Sequence, residues 1–296
     1  MNQDLNQYWQ EKKALVNEAI DKFLPKGQGL DARLIQAMSY SVKAGGKRLR
    51  PMLVLSSYEM VGGHDLENAL PTAVAVEFIH TFSLIHDDLP AIDDDDIRRG
   101  LPSCHKAFGE AMAVLAGDGL LVEAFDLMTR GPAPVERKMA VIKEITRAIG
   151  LEGVLSGEAV DVLAEKERWP VERELVEFIH TKKTAALIAG CVASGAILAG
   201  ADGQTVDAIR QVGRKMGLAF QIVDDLLDVV GDQDKVGKQL GKDQDKATWV
   251  KLRGVKASKQ DASQLVSQAI EELQERFGQS AWPLVEIARF ITERDM

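Results

Sequence analysis

Two acidic motifs, each closing an apolar helical stretch, set the strongest constraint on how this chain can fold. The first, Asp87-Asp88-Leu89-Pro90-Ala91-Ile92-Asp93, follows Phe82-Ser83-Leu84-Ile85-His86. The second, Asp224-Asp225-Leu226-Leu227-Asp228, follows Leu218-Ala219-Phe220-Gln221-Ile222-Val223. Ionised carboxylates repel one another, and the repulsion grows as they leave water, so such clusters persist at the mouth of an apolar cavity only with cations among them. Hard oxygen ligands suit Mg²⁺, which takes one or two carboxylates, several waters and the phosphate oxygens of a substrate. The expected arrangement is a pair of Mg²⁺-diphosphate clamps facing each other. Either motif alone has a blander reading, a solvated acidic helix end, and Asp93-Asp94-Asp95-Asp96 has that look; the pair with its apolar lead-ins does not.

The two motifs differ in spacing. At about 100° per residue, Asp224 and Asp228 lie on one helical face with Asp225 beside them, so an unbroken helix presents all three. Pro90 forbids that for the first motif. Its helix is expected to stop near Asp88, with Asp93 returning from a short loop.

Elsewhere the apolar residues recur at helical intervals and strand alternation is absent. Helices are predicted over Leu5–Leu24, Asp31–Lys43, Met52–Val61, Glu67–Asp88, Ser103–Thr129, Pro134–Ile149, Glu152–Ala164, Val171–Ala199, Gln204–Val230, Ala257–Phe277 and Ala281–Thr292. Short turns join them, which favours antiparallel neighbours in an all-α helical bundle. No Pro/Gly/Ser-rich linker divides the 296 residues, so one domain is expected over 1–296. The exception to the short turns is the polar stretch Gly231–Arg253, where Lys235, Lys238, Lys242 and Lys246 alternate with Asp232, Asp234, Asp243 and Asp245, as in a lid over a charged ligand. A hydrophobic content of 46% supplies a core, yet no apolar run approaches the roughly 20 residues of a membrane span. The polar start Met1-Asn2-Gln3-Asp4-Leu5 has no apolar leader. A soluble, cytoplasmic protein is expected, with Cys104 and Cys191 as packing residues in a reducing compartment. The net charge of −9 argues against nucleic-acid or anionic-membrane partners.

In so acidic a chain, Lys43-Ala44-Gly45-Gly46-Lys47-Arg48-Leu49-Arg50-Pro51 stands out. Gly45 and Gly46 let backbone approach a ligand, Pro51 reads as the first residue of the next helix, and Lys47, Arg48 and Arg50 offer donors suited to phosphate. The reading is a metal-free diphosphate site; the alternative is a solvated basic turn. Arg98 and Arg99 point different ways, one toward a metal-bound diphosphate and the other toward the metal-free one, unless both merely neutralise residues 93–96. His80, two turns before Asp87 on the same face, is a core histidine or a diphosphate partner. Lys182-Lys183-Thr184 interrupts an apolar helix, as a kink lining a cavity or as a connection between helices. Gln221, three residues before Asp224, sets a neutral dipole on the carboxylate face.

At Gly45-Gly46-Lys47-Arg48-Leu49-Arg50-Pro51, 83–100, His180-Thr181-Lys182-Lys183-Thr184 and 220–228 the sequence closely resembles the trans-isoprenyl diphosphate synthases, and among them the bacterial farnesyl diphosphate synthases. The resemblance spans about residues 40–250. It implies an all-α fold with the cavity inside the bundle, a homodimer, and Mg²⁺-dependent head-to-tail condensation of an allylic diphosphate with isopentenyl diphosphate, Mn²⁺ being a substitute metal. It also implies that Asp87, Asp88, Asp93, Asp224, Asp225 and Asp228 hold Mg²⁺, that Arg98, Lys183 and Lys238 meet the allylic diphosphate, and that Gly46, Lys47, Arg50, His80 and Arg99 form the isopentenyl diphosphate site. Thr184 and Gln221 are placed to offer oxygen dipoles to an allylic cation. Phe82, five residues before Asp87, is the expected cavity floor, with the small Ser83 beside it; together with the two extra residues Pro90 and Ala91 this pattern resembles the C15 type. Synthases of C10 and C20 products share every charged residue named. A terpene cyclase would need no Lys47/Arg50 site, and a non-catalytic regulatory subunit would be expected to have lost aspartates that are intact here.

Overall fold

The computed structural model describes residues 3–230 and 246–293. It is 79% helical, so the all-α expectation holds. In chain order the helices are α1 (Gln3–Phe23), α2 (Ala32–Lys43), α3 (Leu49–Met60), α4 (Leu70–Asp87), α5 (Cys104–Phe108), α6 (Glu110–Thr129), α7 (Val135–Ile149), α8 (Val154–Lys166), α9 (Arg173–Ile179), α10 (Ala186–Ala199), α11 (Gly203–Val230), α12 (Trp249–Arg253), α13 (Val255–Phe277) and α14 (Trp282–Glu293).

Two helices are apolar nearly all round and are buried accordingly. In α4 the side chains of Val74, Val76, Phe78 and Ile79 are fully enclosed, and in α10 those of Ile188, Cys191, Val192 and Ala196. Around them α3 and α6 pack on α4, while α3, α7 and α11 pack on α10 and α13 backs α11. The outer helices are amphipathic; α7 buries Val141, Ile145, Ala148 and Ile149, a single stripe, and leaves Val135 and Met139 exposed. A fully buried side chain such as Phe78 matters to such a core: truncation to Ala costs about 3–5 kcal/mol.

Several sequence expectations shift. The helix predicted over Ser103–Thr129 breaks at Gly109, whose φ of +90° ends α5 and starts α6. Helix α3 begins before Pro51, which is its third residue and not its first; the missing N–H falls among the donors that a helix start leaves unpaired anyway. The stretch predicted as Glu67–Asp88 opens with a separate 3₁₀ turn, Leu66–Asn68. A two-residue hairpin, β1 (Ile97–Arg98) with β2 (Leu101–Pro102), lies where no strand was expected, too short to show alternation. The polar stretch to Arg253 contains α12, with Trp249 buried at its start.

The helix predicted over Val171–Ala199 starts at Arg173 and runs unbroken through a π-helical turn, His180–Ala185. That continuity makes Arg173–Ala199 long and apolar enough by composition to cross a membrane, against the expectation that no run comes close. Its window is 72% buried within the protein, as befits a core helix.

Candidate active site

The first acidic motif folds back as Pro90 requires. Helix α4 ends at Asp87, and the loop returns so that the Asp93 N–H donates to the Asp87 carbonyl at 2.9 Å and the Asp94 N–H to that of Leu89 at 3.1 Å. Asp93 thus sits over the helix end, where Lys246 Nζ reaches its two oxygens at 3.1 and 3.2 Å. Asp88, 2% exposed, accepts from Arg98 Nε at 2.9 Å, and Arg98 also reaches Asp95. Burial pushes the Asp87 carboxyl up to about 8; Glu158 adds to that, Lys183 opposes it, and Asp93 adds further. A carboxylate so crowded by its own kind is short of positive charge.

The second motif meets the π-helical turn. Such a turn carries one extra residue, which rotates the following side chains relative to a regular helix. Here Lys183 and Thr184 face inward, and the backbone comes so close to α8 that a Cβ on Gly157 would stand 2.3 Å from the Lys183 nitrogen. Lys183 Nζ is held between Asp161 at 2.7 Å and Glu158 at 2.8 Å. Thr184 Oγ1 donates to Gln221 Oε1 at 2.6 Å, and Gln221 Nε2 donates to Asp225 Oδ1 at 3.0 Å. Asp225 is buried and also accepts from the Trp249 N–H at 2.7 Å. His180 Nε2 lies 3.3 Å from the same carboxylate, yet burial holds the imidazole down at about 4, so it is neutral. Lys183, Thr184, Gln221, Asp225 and Lys246 line a cavity of about 150 Å³. Asp224 is half-buried and Asp228 buried on the same helix.

A second cavity, about 130 Å³, is lined by Lys47, Arg50, His80 and Arg99 with Phe220 and Phe290. Gly46, at φ +125°, lies against Arg99: a Cβ there would stand 3.1 Å from the guanidinium carbon. Trp9 anchors the loop, its indole N–H donating to the Lys47 carbonyl at 2.9 Å. Arg50 is half-buried, and its enclosed Nε has no hydrogen-bond partner among the described residues. Burial first, then the charges of Arg50 and Arg99, hold the His80 imidazole well below its ordinary range. Arg48 departs from expectation. It is buried in the cavity wall and spends its donors on Glu77 at 2.7 Å, the Val42 carbonyl at 2.9 Å and Asn17 at 3.1 Å, so it fixes the loop while its neighbours Lys47 and Arg50 keep the phosphate role.

The two cavities share walls. On α11, Phe220 faces the basic one and Gln221 the acidic one, and the Asp224 charge reaches Arg50. On α4, His80 lines the first cavity and Asp87 lies within range of Lys183 in the second. Arg98 and Arg99 diverge, Arg98 to the aspartates and Arg99, at φ +54°, into the basic cavity. Phe82 is buried and packs edge-on against His86, with centroids 5.0 Å apart; Ser83 Oγ donates to the His80 carbonyl at 3.0 Å. Lys238 lies outside the described residues.

Sequence reasoning missed Glu158, Asp161, Glu77 and Trp249, and gave Lys246 only a place in the polar stretch. Two signals were available: Glu158 and Asp161 share a face of α8 at a three-residue spacing, and Glu77 is the one carboxylate inside the apolar run of α4. The donor sets suit their expected guests. Glu158 Oε1, buried beside Asp87 and Lys183, has no hydrogen-bond partner among the described residues and suits a cation, while Arg50 Nε suits an anion.

An all-α bundle with paired aspartate motifs over adjoining acidic and basic cavities defines a class, the trans-prenyltransferases. The polyprenyl synthetase family model matches residues 31–281, and the chain belongs to that family. It is 44% identical over 296 residues to a chloroplastic geranylgeranyl pyrophosphate synthase of Catharanthus roseus, covering 99% of this chain and 82% of that protein. The crystal structure of an FPP/GFPP synthase from Zymomonas mobilis superposes with a TM-score of 0.89 at 35% identity, covering 98% of this chain and 100% of the other. A geranyltransferase from Helicobacter pylori, solved with magnesium and isoprenyl diphosphate, gives a TM-score of 0.89 at 27% identity and 99% coverage of both chains.

Proposed function

We propose that this prenyltransferase condenses dimethylallyl or geranyl diphosphate with isopentenyl diphosphate, head to tail, giving mainly the C15 product and free diphosphate. The observation that carries the reading is the pair of adjoining cavities, one short of cations and one short of anions, sharing the walls of α4 and α11. Two diphosphates bind side by side, one through metal and one through basic side chains.

Asp87, Asp93, Asp224 and Asp228 hold Mg²⁺, which when bound neutralises the departing diphosphate. Asp88 and Asp225, already accepting from Arg98 and from the Trp249 N–H, hold those partners in place beside the metal. Lys183 meets the allylic diphosphate, reinforced by Lys246 and Arg98. As the allylic C–O bond breaks, Thr184 presents its oxygen to the cation. The donor chain Thr184 to Gln221 to Asp225 leaves the Thr184 lone pairs facing the cavity. The apolar walls keep water from the cation. In the second cavity Arg50, Lys47 and Arg99 bind isopentenyl diphosphate, and His80, kept neutral, donates to it without adding charge. The isopentenyl double bond attacks the allylic carbon, leaving a tertiary cation, and the released diphosphate takes a proton from the adjacent carbon to form the new double bond, so no protein base is required.

The C20 reading has its own support, since the Catharanthus relative is a geranylgeranyl synthase. Phe82, buried beneath the first motif, favours C15. A homodimer is supported by the exposed Leu115 and Val122 on α6 with Val135 and Met139 on α7. The test is incubation of purified protein with dimethylallyl or geranyl diphosphate, isopentenyl diphosphate and Mg²⁺, followed by sizing of the dephosphorylated products. No chain elongation with either primer would overturn the function, and a dominant C20 product would overturn the chain length.

A further inference from the structure

Beyond the two cavities, the loop that carries Asp93 continues into a second cluster, Asp94, Asp96 and His105, whose ligand atoms all lie within 4.8 Å of one another. Acidic side chains at a surface need no ion. The histidine here is different. It is 6% exposed, its Nδ1 lies 3.0 Å from Ser103 Oγ, and its Nε2 has no hydrogen-bond partner among the described residues. That nitrogen faces the carboxylates, 3.8 Å from Asp94 Oδ1, too far for a hydrogen bond. In the tautomer whose Nδ1–H donates to Ser103 Oγ, a buried lone pair faces two carboxylates, an arrangement that a bound cation relieves.

The geometry points to a divalent transition-metal site formed by Asp94, Asp96 and His105, separate from the diphosphate chemistry. One imidazole with two carboxylates suits Mn²⁺, Fe²⁺ or Zn²⁺ better than Mg²⁺, which prefers oxygen alone. Ser103 supplies the outer hydrogen bond that orients a metal-bound imidazole. Asp96 also pairs with Lys106 Nζ at 2.7 Å, an exposed contact that the ion displaces or shares through the second oxygen. The consequence is mechanical. The Ser103 N–H already donates to the Asp96 carbonyl at 2.8 Å, closing the hairpin that carries Arg98 and Arg99, and an ion at this point ties that hairpin, the Asp93 loop and α5 together.

The experiment is a Mn²⁺ titration of the full chain followed by pulsed EPR, because an imidazole ligand gives a ¹⁴N coupling that carboxylates cannot. We expect the coupling in the wild type, its loss in His105→Gln, and Mn²⁺ affinity at this site weakened roughly 10–100-fold in Ser103→Ala. Asp224→Asn, which strips the proposed catalytic metal site, should leave the coupling in place, so the two readings can fail separately. A wild type without nitrogen coupling, or coupling that persists in His105→Gln, overturns the site. Should His105→Gln not fold, the exposed pair Asp94→Asn with Asp96→Asn carries the test, and unchanged coupling there overturns it equally.

Discussion

The acidic and basic cavities each enclose a neutral histidine and a polar atom with no hydrogen-bond partner among the described residues, yet they solve opposite electrostatic problems. Lys183 is held by the carboxylates of Glu158 and Asp161 with Asp87 nearby, and burial, then Glu158, force Asp87 up to about 8. Around His80 the guanidinium groups of Arg50 and Arg99 outnumber the nearest carboxylate, Glu77, which Arg48 already holds. Two ligands with the same diphosphate head can therefore be sorted by charge: the acidic cavity takes one only with metal, the basic one takes the other without it. In the proposed reaction, α4 and α11 would hold the two heads apart while the tails meet.

The most damaging way to break this contrast is to remove a carboxylate from the acidic side. Asp87→Ala is expected to lower kcat/KM by roughly a thousandfold, in steady-state assays with geranyl and isopentenyl diphosphates, while equilibrium binding of isopentenyl diphosphate stays as in the wild type. Chelation of divalent metal should do the same. If isopentenyl diphosphate binding fell equally, the cavities would be one site.

A second break uses acid. His180 is depressed from 6.5 to about 4, so the unfolded chain binds the extra proton between those values and the folded one does not. The stability it contributes is present above pH 6.5 and is lost as pH falls through 4, an effect of about 3 kcal/mol. Urea unfolding at pH 7 and pH 4 should show His180→Phe losing less than the wild type by that amount; equal losses would mean that the imidazole is not held neutral.

On the basic side, Arg50→Met should raise the KM for isopentenyl diphosphate about 10–100-fold, the worth of a charged hydrogen bond. Affinity for the allylic diphosphate, measured by calorimetry with Mg²⁺, should not change. A matched loss of both would show that Arg50 serves the acidic cavity through Asp224.

How much of this could be read from residues alone depended on range. Asp224, Asp225 and Asp228 follow from helical spacing, and the return of Asp93 follows from Pro90, because both are local consequences of backbone geometry. The fates of Arg48 and Arg50 are not local. They stand two residues apart at the start of α3 with the same chemistry and both line the basic cavity, and only the left-handed φ of +55° at Arg48 and the position of Glu77 on another helix tie up the donors of the first and leave Nε of the second without a partner among the described residues. The helix over Val171–Ala199 and its interruption at Lys182–Thr184 were both legible, but not that the interruption is a π-helical turn, since its extra residue depends on packing against α8 and α11. Trp249 escaped because a buried aromatic inside a charged stretch gives no periodic signal.

The gentlest intervention touches neither cavity's charge. Phe82 is buried one turn below Asp87 and braced edge-on by His86, whose Nε2 is 3.1 Å from the Val114 carbonyl on α6. Phe82 lines neither of the two cavities described above, so its proposed role is to end the space into which a growing chain would extend beneath Asp87, a role for which Ser83 beside it is too small. Phe82→Ala is therefore expected to shift the dominant product from C15 to C20, read by chromatography of dephosphorylated products, with the KM for isopentenyl diphosphate unchanged. The truncation costs about 3–5 kcal/mol of stability, so products should be compared well below the melting temperature of the variant. An unchanged C15 product would move the floor of the cavity elsewhere. A wild type that already makes C20, as the Catharanthus relative's name describes, would mean that Phe82 lies beside the chain and not across its path.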